Sequence, residues 1–424
     1  MKKLVAYVLT LGILVCFAEV GFCDVLETQK FDDGNMHSVP QNISVENGSG
    51  IEASKGSNVI VESGFSVSGG YVGVYSADED TMVTVIDGDV SGVFGAVADR
   101  SGRVVVNGNL SGSGEEGLGR GAVSWNEGRI TVTGSVSGEY SGLYAAEGAG
   151  LINVTGDVRG TGEDSVGAEA CDGGKITVNG NVEGVYSGAY AEGSGSNISV
   201  SGNVRGVGLN GAGVEAYAGA VVSVTGDVSG NNYGVYSVNT GSRIYIDGSI
   251  TGTGDYGICI EEGGRVEVSG NVSGKIGIQD GTLLAEGEVT GDVGLLYPEE
   301  TVFGAELCLG RIDGEILDSV GNYLRFLIST DKGNIRVSGD LIDGELSGED
   351  TISGNSYVMT KKMVELESID ETELLIESAT GKSIDFPEDL PGVTVKDHGD
   401  GTYTLSIIPK DFRGGLSLLC PVND

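Results

Sequence analysis

The chain has 424 residues, of which 75 are glycine, and its formal net charge is −38 at pH 7. Glycine this frequent, with only 6 prolines and no three-residue period, excludes collagen and predicts many tight turns. The negative charge excludes nucleic acid and anionic membrane surfaces as partners, because like charges repel. Solubility is the simplest account of the charge, and attraction of cations is the alternative.

Residues 1–23 predict a signal peptide. Two lysines follow Met1, an apolar run extends from Leu4 to Ala18, and small residues lie near a cleavage point before Asp24, which is the order typical of a secretory leader. We therefore expect a secreted, extracellular or cell-surface protein, with the periplasm as the alternative compartment. No later segment is long and apolar enough to span a bilayer as a helix, so no membrane insertion is expected after cleavage.

Residues 24–50 are polar and irregular in sequence, and we expect them to cap the repeat region that follows, because an uncovered sheet edge invites pairing with other molecules. From 51 to 294 one phrase recurs: Gly, any residue, an aliphatic residue, any residue, Gly. Its first nine copies start 20 to 26 residues apart, a period typical of a solenoid. The marker glycines that open the copies are Gly88, Gly108, Gly134, Gly156, Gly180, Gly202, Gly226, Gly248, Gly270 and Gly287.

Each repeat carries three short strand patterns. In the unit that ends at Gly180, Ile176 and Val178 alternate with polar residues, and Val182 follows the glycine. Alternation with period two predicts half-buried strands rather than a helix. One coil cannot bury its own aliphatic side chains, so the copies must stack. The spacings between the first nine markers are all even, which keeps inward side chains inward.

The predicted fold is therefore all-β. It is a single-stranded right-handed parallel β-helix of about ten coils, roughly 50 Å long at the spacing of paired strands, followed by a smaller all-β region. That C-terminal region covers 295–424, where the marker glycine is lost. We expect irregular final coils and then a small sandwich, with strands over 323–329, 358–366 and 374–378 and a hairpin over 393–408.

Four cysteines lie beyond the predicted signal peptide. Cys308 and Cys420 both lie in the C-terminal region and could form a disulfide, which the secretory route permits; whether they pair stays open. Cys171 and Cys259 lie about four coils apart, too distant for a bridge.

A regular row of side chains occupies the outward position of the strand that follows each turn. In this row Tyr and Glu alternate from Tyr144 to Tyr236. Aromatic rings with carboxylates between them could hold a glycan or a protein surface as partner. The alternative is that tyrosine merely suits an exposed strand face and stacks on its neighbours. The candidate binding residues are Tyr75, Trp125, Tyr144, Glu169, Tyr190, Glu215 and Tyr236.

Turns carry the remaining polar patterns. Glycine there is expected to supply positive φ, and the Asp, Asn or Ser after each marker glycine is expected to hydrogen-bond from coil to coil. Asp78, Glu79 and Asp80 place oxygen ligands on one turn and form the candidate calcium site, with a solvated acidic loop as the alternative. No other cofactor is expected.

Catalytic motifs are few, and a non-enzymatic role is favoured. The two histidines, His37 and His398, lie outside the repeats, and neither a Gly-x-Ser-x-Gly elbow nor a phosphate-binding loop occurs. A row of basic residues recurs at one coil position and could line an anion-binding edge, although a charge that solubilises the strand is the simpler account. The row is Arg103, Arg129, Lys175, Arg243 and Arg265.

The phrases GVYSVNTGSRIYIDGSITG and GAEACDGGKITVNGNVEG resemble the repeats of bacterial right-handed parallel β-helix surface proteins. These form the adhesin-like and autotransporter-passenger-like group, which shares the pectin-lyase-like fold. The resemblance covers the repeat region and implies a secreted or surface-displayed bacterial protein that adheres or displays a ligand. The same fold also includes enzymes, so a polysaccharide lyase or glycoside hydrolase working in a groove along the helix is the alternative. Such an enzyme would cluster carboxylates with Arg or Lys in neighbouring coils.

Overall fold

The computed structural model describes residues 27–114, 118–278 and 281–291, and beyond them the backbone of separate strands as far as Ile407. The described chain is all-β. The strands of the repeat region are β1 Gln29–Phe31, β2 Met36–Val39, β3 Ile43–Val45, β4 Ser49–Ala53, β5 Asn58–Val61, β6 Val67–Gly69, β7 Val72–Ala77, β8 Met82–Val85, β9 Val90–Gly92, β10 Phe94–Asp99, β11 Arg103–Val106, β12 Leu110–Gly112, β13 Arg120–Ser124, β14 Arg129–Val132, β15 Val136–Gly138, β16 Ser141–Ala145, β17 Leu151–Val154, β18 Val158–Gly160, β19 Val166–Cys171, β20 Lys175–Val178, β21 Val182–Gly184, β22 Ser187–Glu192, β23 Asn197–Val200, β24 Val204–Gly206, β25 Ala212–Tyr217, β26 Val221–Val224, β27 Val228–Gly230, β28 Tyr233–Val238, β29 Arg243–Ile246, β30 Ile250–Gly252, β31 Tyr256–Glu261, β32 Gly264–Val268, β33 Val272–Ser273, β34 Ile276–Ile278, β35 Gly281–Thr290 and β36 Val293–Leu295.

Every third strand of this series joins the same parallel sheet. Sheet 1 begins with β1, β4 and β7, sheet 2 with β2, β5 and β8, and sheet 3 with β3, β6 and β9. Strand β35 belongs to both sheet 2 and sheet 3, because its first half pairs with β32 and its second half with β33. About eleven coils stack in this way, so the predicted parallel β-helix is confirmed.

The core is a stack of aliphatic rows that run along the coils. In sheet 2, Ile152 pairs with Ile176 and Ile176 with Ile198, and all three side chains are fully buried. Sheet 3 adds a row of buried valines such as Val182, while sheet 1 adds small residues such as Ala189. Each fully buried Val or Ile stabilises the fold by roughly 1.5 to 3 kcal/mol relative to an exposed one, so the rows supply the main stabilisation.

The marker glycines are required by close backbone contact between coils. A Cβ atom on Gly202 would lie 2.4 Å from the carbonyl oxygen of Gly180, and the same distance is 2.2 to 2.5 Å at each marker from Gly108 to Gly287. The expectation of positive φ is wrong for these markers, because none of them has it; positive φ occurs instead on turns between sheets 1 and 2, as at Gly173 and Gly219.

The predicted hydrogen bonds between turns are present. The amide N–H of Asp227 donates to Asn203 Oδ1 at 2.8 Å, and the N–H of Asn203 donates to Asn181 Oδ1 at 2.9 Å. The next rung repeats the pattern, since the N–H of Ser249 donates to Asp227 Oδ1 at 2.8 Å. The Asp, Asn and Ser side chains at these turns therefore fix the register of neighbouring coils.

The N-terminal end departs from the prediction. Residues 24–50 were expected to form an irregular cap, but from 29 onward they already form strands of the helix. Strands β1, β2 and β3 pair in parallel with β4, β5 and β6. This stretch lacks the marker glycine yet keeps inward aliphatic side chains, Ile43 and Val45 among them, and burial of these residues is enough to continue the stack.

The C-terminal region is all-β in its described strands, as predicted. Parallel pairing continues past Leu295, since β37 (Ala305–Asp313) pairs with β35 and β38 (Ile316–Leu317) with β36. An antiparallel group follows, in the order β41 (Tyr357–Lys361), β42 (Thr372–Ser378), β44 (Thr402–Ile407) and β43 (Val393–Asp397). The expected hairpin over 393–408 is confirmed by the pairing of β43 with β44. These strands are β37 Ala305–Asp313, β38 Ile316–Leu317, β39 Leu324–Ile328, β40 Glu345–Leu346, β41 Tyr357–Lys361, β42 Thr372–Ser378, β43 Val393–Asp397 and β44 Thr402–Ile407.

The contact between marker glycines can be tested by substitution. We expect Gly202→Ala to lower the free energy of unfolding by roughly 3 kcal/mol, because the new methyl group would overlap backbone atoms that cannot rotate away. The matched control is Gly148→Ala. Gly148 has φ of 71° and no atom near its missing Cβ, so only the left-handed backbone penalty of about 1 kcal/mol applies. Urea unfolding measures both, and equal losses would contradict the close-contact account.

Candidate binding surface

The predicted row of tyrosines and glutamates exists in register on the outward side of sheet 1. Tyr144 pairs with Glu169, Glu169 with Tyr190, Tyr190 with Glu215, and Glu215 with Tyr236. Outward side chains from successive coils therefore lie one strand spacing apart, roughly 4.8 Å.

The N-terminal part of the same side is a second small core. Val72, Phe94, Val97 and Val123 are buried there, and Tyr75, Trp125 and Tyr144 pack against them. Three candidate binding residues, Tyr75, Trp125 and Tyr144, thus cover an apolar cluster. The cluster forms because the outward row carries valine instead of a polar residue in two consecutive coils.

The side chains of this row are less exposed to solvent than predicted. Glu215 is only 3% exposed, whereas a side chain on the outward side of a strand was expected to face solvent. The tyrosines of the row and Glu169 are half-buried. The physical reason is a set of rings that the sequence reasoning did not include. Tyr217 lies two residues after Glu215, and Tyr233 and Tyr256 open the next two strands of sheet 1.

Five tyrosine rings form a continuous chain of ring contacts on this side. The ring centroids of Tyr217 lie 5.3 Å from Tyr190 and 5.6 Å from Tyr236. Tyr233 stacks on Tyr236 at 5.1 Å and on Tyr256 at 6.1 Å. Aromatic pairs at such distances stabilise each other by about 0.5 to 1.5 kcal/mol beyond the area they bury. Strand periodicity could have revealed Tyr217, because residues two apart on a strand share a side.

Carboxylates alternate with these rings, and the two are joined by hydrogen bonds. Here the tyrosine face is defined as the five rings and the four carboxylates among them. Each of three hydroxyls donates to one carboxylate: Tyr190 to Glu192 at 2.8 Å, Tyr217 to Glu215 at 3.0 Å and Tyr236 to Glu261 at 3.1 Å. The members of the tyrosine face are Glu169, Tyr190, Glu192, Glu215, Tyr217, Tyr233, Tyr236, Tyr256 and Glu261.

Burial controls the protonation of this face. Desolvation raises the pKa of Glu215, although hydrogen bonds from Tyr217 and Ser187 oppose the shift. Desolvation also raises the pKa of Glu169 and raises the pKa of Tyr233 to about 12. One oxygen of each buried carboxylate, Oε2 of Glu169 and of Glu215, has no hydrogen-bond partner among the described residues. The tyrosine face is therefore a strip of rings over incompletely paired carboxylates.

A single basic residue borders the face at its N-terminal end. The guanidinium of Arg120 lies 4.3 Å from the ring centroid of Tyr144 and 4.9 Å from that of Tyr140, within the range of cation–π attraction. Its positive charge opposes the rise in the pKa of Glu169. Arg120 thus shows how a cation sits against one tyrosine and glutamate of the row.

Exposed apolar side chains collect along one edge of sheet 1. Six large apolar residues are exposed in the described chain. Five of them lie on the turns that lead from sheet 3 into sheet 1, and the sixth, Met36, lies on β2. Leu209 is 92% exposed, so its own apolar side chain contributes little to the stability of the fold. The five are Tyr71, Leu118, Tyr186, Val207 and Leu209.

The candidate calcium site gains no support from the described residues. Asp78 accepts hydrogen bonds from Arg100 Nε at 2.9 Å and from the amide of Lys55 at 3.3 Å, and the hydrogen bond from Arg100 lowers the pKa of Asp78. Within the described ranges no three metal-ligating side chains come together. Glu79 and Asp80 are exposed on the same turn, so a calcium role for this turn stays a prediction.

The alternative function as a polysaccharide-cleaving enzyme requires carboxylates clustered with Arg or Lys in neighbouring coils. Arg100 bonds both Asp78 and Asp99, and Asp99 also accepts from Tyr75 and Asn126. This is a group of two carboxylates and one arginine in neighbouring coils, and its hydrogen bonds within the protein also suit a structural role. The predicted basic row is in register along sheet 2, as in the pairing of Arg103 with Arg129, and lies on a different sheet from the tyrosine face.

The remaining predictions concern the chain ends and the cysteines. Cys171 and Cys259 are free thiols, as expected from their separation, and burial raises the pKa of Cys171 to about 12. The predicted signal peptide and the side chains of the Cys308–Cys420 pair lie outside the described residues. In the part of the chain that the structure describes, no helix has the length and apolarity needed to cross a membrane.

Compared with known proteins, the chain matches no protein-family model and no curated protein.

The unpaired oxygen of Glu215 leads to a prediction about how the stability of the protein depends on pH. Burial raises the pKa of Glu215 in the folded state. The contribution of this side chain to the free energy of unfolding is therefore fully present below its usual pKa of 4.5. That contribution is lost as pH rises through the raised pKa of the folded state. The neutral variant Glu215→Gln keeps an oxygen for Tyr217 and avoids this loss. We expect the variant to gain roughly 1 to 2 kcal/mol over the natural chain at neutral pH, and the gain to vanish near about pH 4.

Urea unfolding from acid to neutral pH measures this difference. The control is Glu192→Gln, on the same face but exposed, where we expect a change within about 0.5 kcal/mol. A gain from Glu215→Gln that does not depend on pH would contradict the assignment.

Proposed function

We propose that this protein is a non-enzymatic β-helix rod of the cell surface or extracellular space that adheres to a partner or displays a ligand through the exposed face of sheet 1. The single observation that carries the proposal is the placement of exposed apolar residues. Five of the six in the described chain lie on turns along one edge of this sheet, and three of them, Tyr186, Val207 and Leu209, lie in the coils of the tyrosine face. Exposed apolar side chains that recur along one side of a protein are typical of interaction surfaces.

The composition of the face supports the same conclusion. Tyrosine is enriched in protein interfaces because a rigid ring buries a large area at a small entropic cost. The rings of Tyr190, Tyr217 and Tyr236 are half-buried, so each is held in place and still presents one side. A stacked β-helix backbone keeps these positions fixed before a partner arrives, which reduces the entropic cost of binding.

The rod shape is suited to adhesion. A solenoid offers an extended surface whose length grows with the number of coils. Of the residues that could act as a general base, His37 is the one histidine in the described chain, and it lies on β2 beside Asp33. Secretion is part of the proposal and rests on the predicted signal peptide at 1–23.

The test uses the purified protein, a panel of acidic and neutral polysaccharides, and intact cells. We expect binding without the appearance of new chain ends, and a loss of at least tenfold in affinity when Tyr190, Tyr217 and Tyr236 are all replaced by Ser, since ring contacts dominate such interfaces. The control is Tyr245→Ser, on the outward side of sheet 2. New chain ends, or binding that the triple variant retains in full while circular dichroism shows a folded rod, would overturn the proposal.

A further inference from the structure

Three of the five hydroxyl groups of the tyrosine face already donate their hydrogen to a carboxylate of the protein. A tyrosine hydroxyl has one hydrogen, and Tyr190, Tyr217 and Tyr236 each donate theirs to a carboxylate of the face. What remains for a ligand is carboxylate oxygens, hydroxyl lone pairs and ring surfaces. All three carry negative charge or negative electrostatic potential, so all three attract cations. A neutral glycan needs donors as well as acceptors, and these hydroxyls no longer offer any.

The strands that carry the tyrosine face contain no basic residue of their own. The five strands of sheet 1 from Val166 to Glu261 contain neither lysine nor arginine. They do contain Glu169, Glu192, Glu215 and Glu261. The negative charge is therefore uncompensated along five consecutive strands, apart from the effect of Arg120 on Glu169 at one end.

Arg120 shows the arrangement that the rest of the row lacks. Its guanidinium lies over the ring of Tyr144, and Tyr144 is followed in register by Glu169. The next tyrosine and glutamate of the row, Tyr190 and Glu215, repeat this order in register. At the strand position of Arg120, the coil that precedes Tyr190 carries Val166. The second pair thus has the same ring and carboxylate but no internal cation.

Glu215 provides independent support for a missing partner. It is 3% exposed, and its Oε2 atom has no hydrogen-bond partner among the described residues. Buried polar atoms in folded proteins are nearly always paired. Glu215 points outward from sheet 1 between Tyr190 and Tyr236, so its unpaired oxygen lies under the rings of the face. A cation held on those rings would interact with it through a medium of low dielectric constant, where the attraction is strong.

We propose that the tyrosine face binds a basic protein segment, with lysine or arginine side chains seated on its rings and paired with Glu192 and Glu261 at the surface. This inference rests on the proposed function and specifies the chemistry of its partner. Glu192 and Glu261 lie three coils apart, or roughly 14 Å, so two or more basic side chains of one extended segment can engage the face together. The apolar edge beside it, with Leu209 and Val207, contacts the aliphatic part of the same segment.

Hexalysine is the probe. We expect it to bind the full protein with an affinity that falls as salt is raised from about 50 to 500 mM, because ions screen exposed charge pairs. The double variant Glu192→Gln with Glu261→Gln should weaken binding at least tenfold. The matched control is Glu46→Gln with Asp247→Asn, which removes the same charge from two exposed positions away from sheet 1 strands. The control should change affinity less than twofold.

Each outcome decides the inference. Equal weakening by both double variants would show attraction to the acidic rod as a whole and would overturn it, as would the absence of hexalysine binding. A third variant, Tyr217→Leu, keeps every carboxylate and removes the central ring; we expect at least a threefold loss, and an unchanged affinity would contradict the role of the rings. If the rod binds cells or polysaccharides through Tyr190, Tyr217 and Tyr236 but ignores hexalysine and salt, the proposed function stands and this inference fails.

Discussion

The whole structure depends on how closely one coil can rest on the next. Backbone amides of each strand bond to the same strand one coil away, and the marker glycines bring the turns to the same separation. At Gly202 the neighbouring carbonyl oxygen already occupies the space of a side chain. Because the distance is set by backbone groups, it is uniform along the rod, and every coil repeats the geometry of the one before it. The aliphatic rows of the core follow from this repetition.

Uniform stacking turns each strand position into a row of side chains with fixed spacing. Inward rows become a core. Outward rows become ladders whose chemistry depends only on which residue the sequence places there, as the Asn and Asp turn ladder shows. On sheet 1 the rows combine rings and carboxylates, and the result changes along the rod. Near Val97 and Val123 it is a second apolar cluster, whereas from Tyr190 onward it is aromatic and acidic.

In the acidic half of sheet 1, the packing of the rings favours folding while the burial of carboxylates opposes it. Rings that contact one another bury carboxylates beneath them, and burial raises the pKa of Glu215. The charged form of such a group lowers stability, so an uncompensated carboxylate under a layer of rings is unfavourable for folding alone. Around Asp99 the chain pairs its carboxylates with Arg100, Tyr75 and Asn126. The contrast between these two regions is the basis for assigning a partner to the tyrosine face.

The coil, its three strands, the parallel register and the inward rows can be predicted from the repeat pattern, because a period in the low twenties and a period of two leave few other ways to bury the aliphatic residues. The pattern also places Tyr144, Glu169, Tyr190, Glu215 and Tyr236 in one row, and the structure confirms that register. Which outward residues meet solvent depends on packing in the folded chain. Strand position states the side on which Glu215 lies, but its burial depends on rings that reach across from other coils. Such contacts depend on side-chain length and direction, which a repeat pattern does not specify.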